Sequence, residues 1–184
     1  VLDTDYDSSV IYRAFTVCQQ IASGQRVEDI PLAKEISHVS FFRNPEDNPR
    51  IQALLAVLHK FDVNEKIVIW CKYTHEILDV SSVLKARGEH VELIYGKLSA
   101  RKRDIALERF QQDSRILIAN KACAGYGLNL QFCCYAVYYN QDYDWATRAQ
   151  SEDRLHRIGQ SKNVYLYNIC AEYTIDERIL SCLE

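Results

Sequence analysis

From residue 66 onward the chain alternates short apolar runs with longer stretches of helical period, and this alternation restricts the architecture more than any other feature. KIVIWC (66–71), HVELIY (90–95), RILIA (115–119), YAVYYN (135–140) and VYLYNIC (164–170) have strand length and are rich in β-branched and aromatic residues. A strand that is apolar throughout has to be covered on both faces, and helices between successive strands make the pairing parallel. The expected fold is therefore α/β: a doubly wound, mostly parallel sheet with helices on both faces. Between the strands, THEILDVSSVLKARG closed by Gly88, SARKRDIALERF headed by Ser99, and residues 146–158 read as helices. Ahead of them, Asn48 is a natural N-cap and Pro49 fits the first helical position, while Ile51, Leu54, Leu55 and Leu58 repeat at i, i+3, i+4, i+7. Residues 6–22 give another helix, with Val10, Ala14 and Val17 on one side and Gly24 at its end. The stretch 24–48, with Gly24, Pro31 and Pro45, reads as a connector holding a short strand at HVSFF. A last helix is announced by TIDE, in which Thr174 can cap the amide three residues on and Glu177 can reach back. The expected division is residues 1–48 as N-terminal helix and connector and 49–184 as the main lobe, together one compact unit.

Composition narrows the function classes. A length of 184 residues with 48% hydrophobic and 26% charged residues suits one folded domain and excludes a disordered or collagen-like chain. A formal net charge of -3 gives no overall positive field, so any nucleic-acid contact must come from a local patch. The 7 cysteines are odd in number, lack CxxC spacing and mostly sit in apolar runs, as reduced thiols do in a cytoplasmic or nuclear protein. No metal site is expected from the cysteine and histidine spacing. With no apolar run of about 18 residues and no signal-like start, no membrane partner is expected. The absence of methionine and the start at Val1 fit a piece of a longer polypeptide.

The segment AQSEDRLHRIGQ (149–160) carries the chemistry. On a helix over 146–158, Gln150, Asp153, Arg154 and Arg157 fall at i, i+3, i+4 and i+7 and share a face, with Leu155 and Ile158 turned to the core. Asp153 stands four residues before Arg157, the favourable order for an intrahelical ion pair. A solvated helix with a modest salt bridge would account for that much. Against it stands the clustering of planar, bidentate donors at the ligand edge of an α/β sheet. Guanidinium groups so placed suit phosphoryl transfer, whose transition state spreads negative charge over the equatorial oxygens. The chain nevertheless has no G-x-x-x-x-G-K-[ST], and GYGLNLQ and GQSKNV both fail that test. Such fingers need a separate lobe to hold the triphosphate.

QSEDRLHRIGQ resembles the sixth motif of the Swi/Snf-type branch of helicase superfamily two, Q-x-x-D-R-x-H-R-x-G-Q, and satisfies every fixed position. In order along the chain, KIVIWCKY (66–73) resembles the fourth motif, GKLSARKRDIALERFQ (96–111) the block that follows it, and ILIANKACAGYGLNLQ (116–131) the fifth. YTIDERIL (173–180) resembles the segment after the sixth. The resemblance spans about residues 50–180. It implies the second RecA-like lobe of an ATP-driven DNA translocase, with ATP and Mg2+ bound mainly by the first lobe of the same polypeptide and double-stranded DNA as the other partner. On that resemblance Arg157 and Arg154 face the β/γ-phosphates, with Gln150 and Asp153 positioning them. Gly125 and Gly127 allow close backbone approach to nucleotide or DNA, a tight turn being the other account of both glycines, and Asn129 offers a polar contact. Lys72, Tyr73, Lys97, Arg101, Arg103 and Lys121 are the expected grips on the DNA backbone, contacts that position without reading bases. A solvated helix start accounts equally for 97–103. The chain departs from the pattern at Ala124-Gly125, where many members have Gly-Gly, and at Tyr143-Asp144-Trp145, where many have Trp-Asn-Pro. Two other functions stay open on sequence: a degenerate lobe that docks protein or DNA without catalysis, and a small dinucleotide-binding protein, which would need a G-x-G-x-x-G that the chain lacks.

Overall fold

A computed structural model describes residues 8–28, 37–96 and 98–183. Helix α1 (Ser8–Ala22) leads into a small antiparallel ribbon of β1 (Gln25–Glu28) and β2 (Ser37–Ser40). The ribbon overlaps the strand expected at HVSFF, beginning one residue earlier and ending at Ser40, and pairs it with a β1 that the connector reading did not anticipate. Helix α2 (Pro49–Leu58) then precedes the alternation of β3 (Ile67–Cys71), α3 (Thr74–Ala86), β4 (Val91–Ile94), α4 (Ala100–Gln112), β5 (Ile116–Asn120), β6 (Tyr135–Tyr138), α5 (Trp145–Asp153), β7 (Tyr165–Asn168) and α6 (Ile175–Leu183). Strands β3 to β7 form one 5-stranded sheet in the order β4-β5-β3-β6-β7, and every pair is parallel.

The strands at the centre are buried on both faces because alternate side chains enter two different cores. Ile67, Ile69 and Cys71 of β3 join Ile116, Ile118 and Val137 beneath Ile51, Leu54 and Leu58 of α2 and Ile77, Val80 and Leu84 of α3. Val68 and Trp70 point the other way, with Leu117, Ala119, Ala136 and Tyr138, against Ala106 and Phe110 of α4 and Leu155 just past α5. The helices thus cover both faces, as the apolar character of the strands requires.

Local signals account for the helix starts unevenly. Asn48 caps α2 as expected: its Oδ1 accepts the Arg50 N–H at 2.9 Å, and its amide also donates to the Ser23 carbonyl at 2.9 Å, tying α2 to the end of α1. Ser99 stands before α4, but its side chain makes no capping bond. Thr174 Oγ1 accepts the Asp176 N–H at 3.2 Å, two residues on rather than three. The Asp176 carboxylate, meanwhile, takes the buried guanidinium of Arg50.

Candidate functional site

All five strands run in one direction, so the loops that follow them emerge along one edge of the sheet. The chain leaves β3 toward β4 on one side and leaves β6 toward β7 on the other, which makes the carboxyl ends of β3 and β6 the topological switch point where ligands gather in such sheets. A polar network fills that crevice. Asn140, just past β6, accepts the Lys72 N–H at 2.8 Å and donates to the Glu76 carboxylate at 2.6 and 2.8 Å. Glu76 also accepts the Tyr73 N–H at 3.0 Å, and burial raises its carboxyl above the ordinary value. From α1, Gln19 spans both loops, accepting the Lys72 ammonium at 2.7 Å and donating to the Gln141 carbonyl at 2.7 Å. Asn120 closes the remaining side, donating to the Lys72 carbonyl at 2.6 Å and capping the Ala122 N–H at 2.9 Å. The network was not read from the sequence except for the positions of Lys72 and Tyr73. Its one local signal was Glu76 at the third position of α3.

The arginines lie at the far end of α5, against the segment that leads into β6 rather than in this crevice. The helix is shorter than the heptad reading required. It starts where Asp144 caps the Thr147 N–H at 3.0 Å and ends at Asp153, with Arg154 as its C-cap. Gln150 and Asp153 lie exposed on the helix and Arg154 follows half-buried, whereas Arg157 sits beyond it on an irregular turn. The four residues therefore do not share one helical face. The expected Asp153–Arg157 ion pair is likewise corrected: among the described residues the pair that forms is Arg148–Glu152, one turn earlier. Leu155 is buried as expected, but Ile158 is 98% exposed, because the chain has left the helical path by then. Arg157 is exposed, while Arg154 Nε is buried and lacks a hydrogen-bond partner among the described residues. Arg148, not singled out from the sequence, lies 3.5 Å over the Tyr138 ring and also donates to Asn168 at 2.9 Å.

The turn that carries Arg157 adjoins the segment after β5. A 3-10 turn (Lys121–Tyr126) that includes Gly125 ends at Gly127, whose φ of 74° is the left-handed conformation that favours glycine. A Cβ at Gly127 would meet nothing within 4 Å among the described residues, so within this lobe it is the backbone angle that favours glycine. Asn129 is exposed and accepts the Gln131 N–H at 3.4 Å. The Leu130 N–H donates to the Arg154 carbonyl at 3.1 Å, joining the two segments.

The residues expected to grip DNA divide into groups. Arg101 is exposed and Arg103 half-buried in the first turn of α4, and Lys97 lies outside the described residues. Lys72 is half-buried, engaged by Gln19 and 5.5 Å over the Tyr73 ring. The Tyr73 hydroxyl is buried, and burial raises its pKa. Lys121 is 2% exposed and donates to the Asn140 carbonyl at 3.1 Å, with Asp142 at 3.4 Å. The Lys121 ammonium faces inward and ties the loops after β5 and β6, so a phosphate contact there would require that tie to be released. Burial lowers the pKa of both lysines, against the attraction of Asp142. Among the described residues no group of His, Cys, Asp and Glu could hold a metal ion, and no helix is long and apolar enough to cross a membrane.

Comparison with known proteins agrees with this geometry. The family described as "Helicase conserved C-terminal domain" matches residues 49–159. "Helicase swr-1" of Neurospora crassa is 33% identical over 138 residues, 73% of this chain and 7% of that protein. "Helicase domino" of Drosophila melanogaster is 32% identical over 138 residues, again 73% of this chain but 4% of that protein. This chain thus spans only a small fraction of the curated relatives it matches. Among solved structures, the C-terminal part of the Fun30 ATPase domain superposes with a TM-score of 0.71 at 24% identity, covering 76% of this chain and 47% of that one, a likeness of fold. With the parallel sheet, the sixth-motif residues at the end of α5 and this family match together, the chain belongs to the helicase conserved C-terminal domain family, as a Swi/Snf-type second RecA-like domain of superfamily two.

Proposed function

We propose that this domain is one half of an ATP-driven DNA translocase, in which ATP and Mg2+ rest on a first RecA-like lobe of the same polypeptide and this lobe brings Arg157 to the β/γ-phosphates. The observation that carries the reading is the exposed guanidinium of Arg157 on a turn beyond α5, in a chain without a phosphate-binding loop. As the bond to the terminal phosphoryl group lengthens, negative charge grows on the equatorial and bridging oxygens, and a planar cation aimed there stabilises the transition state more than the ground state. Arg154, half-buried with its Nε unpartnered among the described residues, has donor capacity to spare for the same phosphates. Gln150 and Asp153, exposed on the last turn of α5, stand ready to meet the nucleotide or the first lobe rather than to hold the arginines.

DNA contact falls to Arg101 and Arg103 on α4, with Lys97 before them and the segment 125–129 alongside. Lys72 and Tyr73 take part once the Gln19 contact is released. These contacts address the phosphate backbone and predict salt-dependent, sequence-tolerant binding. The exposed Val10, Tyr12 and Phe15 of α1 favour a second reading, a docking module without catalysis.

The decisive measurement uses the full polypeptide with both lobes. ATP turnover should rise on addition of duplex DNA, and Arg157→Ala should lower kcat by about 10³-fold with a much smaller change in nucleotide affinity. Turnover that survives Arg157→Ala would leave the docking reading. The isolated lobe should hydrolyse ATP negligibly.

A further inference from the structure

Past Asp153 the backbone that carries Arg157 is no longer held by a continuous helical ladder, so something else must fix the guanidinium in space. The near anchors are the Arg154 carbonyl, which accepts the Leu130 N–H at 3.1 Å, and Leu155, fully buried among the residues of α4 and β6. Between Leu155 and residue 160 the side chains of His156, Arg157 and Ile158 are exposed and hold nothing down. The next attachment to the body is Gln160. Its backbone N–H donates to the Arg157 carbonyl at 2.9 Å, closing the turn. Its side-chain amide donates to the Cys133 carbonyl at 3.2 Å, and its side-chain oxygen accepts the Lys162 N–H at 3.0 Å. Cys133 is a rigid mooring: it is fully buried ahead of β6, and its thiol donates to the Lys66 carbonyl at 3.1 Å.

Gly159 makes this attachment possible. It adopts a φ of 105°, and a Cβ there would stand 3.2 Å from the Gln131 amide oxygen. The chain therefore turns back against the segment after Gly127 at the point where Gln160 can reach Cys133.

We infer that Gln160 is a positioning residue for phosphoryl transfer: its side-chain amide, bonded to the Cys133 carbonyl, pins the far end of the turn whose near end is Leu155, and so aims Arg157. The inference rests on the arginine reading of the preceding subsection. A small misplacement of an aligned group costs one to two orders of magnitude in rate while leaving ground-state binding nearly intact.

The test compares Gln160→Glu, Gln160→Asn and Arg157→Ala in the full polypeptide. Gln160→Glu keeps the size and the acceptor for the Lys162 N–H but sets a carboxylate oxygen against the Cys133 carbonyl; Gln160→Asn shortens the reach. Both should lower kcat for DNA-stimulated ATP hydrolysis by about tenfold or more, with KM for ATP within about twofold of the parent and an unchanged melting temperature. Tryptic cleavage after Arg157 of the native protein should quicken in both, a readout independent of activity. Parent-like kcat and cleavage in the two Gln160 variants, beside a collapse in Arg157→Ala, would overturn the positioning role and leave the arginine reading intact. Parent-like turnover in Arg157→Ala would remove both.

Discussion

The buried pair of Arg50 and Asp176 offers the sharpest test of how this lobe is held together. An arginine in the first turn of a helix works against the helix dipole, so its presence at the start of α2 requires compensation elsewhere. Asp176, 126 residues away in the first turn of α6, supplies it, and both side chains are 3% exposed. The guanidinium also donates to the Tyr139 carbonyl at 2.7 Å and to the Ala22 carbonyl at 3.3 Å, while the same Asp176 oxygen accepts the Ala171 N–H at 3.1 Å. The pair thereby joins α1, α2, α6 and the end of β6. Removing one partner of such a pair leaves a charge stranded away from water, at a cost of about 3–5 kcal/mol. Asp176→Asn keeps the shape and an acceptor for Ala171, so its loss belongs at the lower end, about 3 kcal/mol. With a urea m-value of about 2–3 kcal/mol/M, the unfolding midpoint should fall by about 1 M or more at unchanged m. Arg50→Met should cost at least as much, and the double variant Arg50→Met with Asp176→Leu less than the sum, with a coupling of about 2 kcal/mol. A loss below about 1 kcal/mol for Asp176→Asn, or strict additivity of the two replacements, would refute the reasoning.

Two further perturbations read other parts of the same edge. The raised carboxyl of Glu76 binds its proton more tightly folded than unfolded, so its contribution to stability falls as pH rises from the ordinary carboxylate value, about 4.3, through the folded value. Denaturant unfolding of the parent against Glu76→Gln should therefore show a stability difference that shifts in favour of the glutamine across that window, and a difference independent of pH would contradict the assignment. Asp144→Ala removes the cap from α5 and should cost about 1 kcal/mol, seen as a melting point lower by about 2–4 °C. The Thr147 hydroxyl and amide depress the Asp144 carboxyl, so this difference should fade as pH falls through its lowered value and persist at neutral pH.

What was legible in the sequence is what depends on local periodicity. Apolar runs with helices between them specify a parallel sheet covered on both faces, and Asn48-Pro49 marks the start of α2 because capping is decided within a few residues. The limits of α5 were not legible, since its dihedral path past Asp153 is set by Leu155 entering the second core and by the Leu130–Arg154 backbone bond, both made with distant residues. The inward direction of Lys121 was not legible for the same reason: a lysine in a polar turn reads as solvent-facing until Asp142 and the Asn140 carbonyl are known to lie within reach. Arg50 and Asp176 were separated by most of the chain, and nothing in the sequence near either announces the other.

The early end of α5 changes the electrostatics of the arginines as well as their geometry. Arg154, at the C-cap, sits in the negative end of the helix dipole, which stabilises its charge and draws it toward the protein. Arg157 lies about one turn farther along the chain, past the distance over which that field is appreciable, with its side chain in solvent. In the proposed role the two are therefore unequal: Arg154 is a cation already partly claimed by its own helix, and Arg157 the one whose charge is available to a phosphate arriving on another lobe. The bond between Leu130 and the Arg154 carbonyl, with Gly159 set against Gln131, also means that the turn cannot shift without moving the segment that follows Gly127. In the proposed role, a contact made by DNA at 125–129 and one made by nucleotide at Arg157 would act on the two sides of one small, tied unit, so that binding at either would alter the geometry of the other.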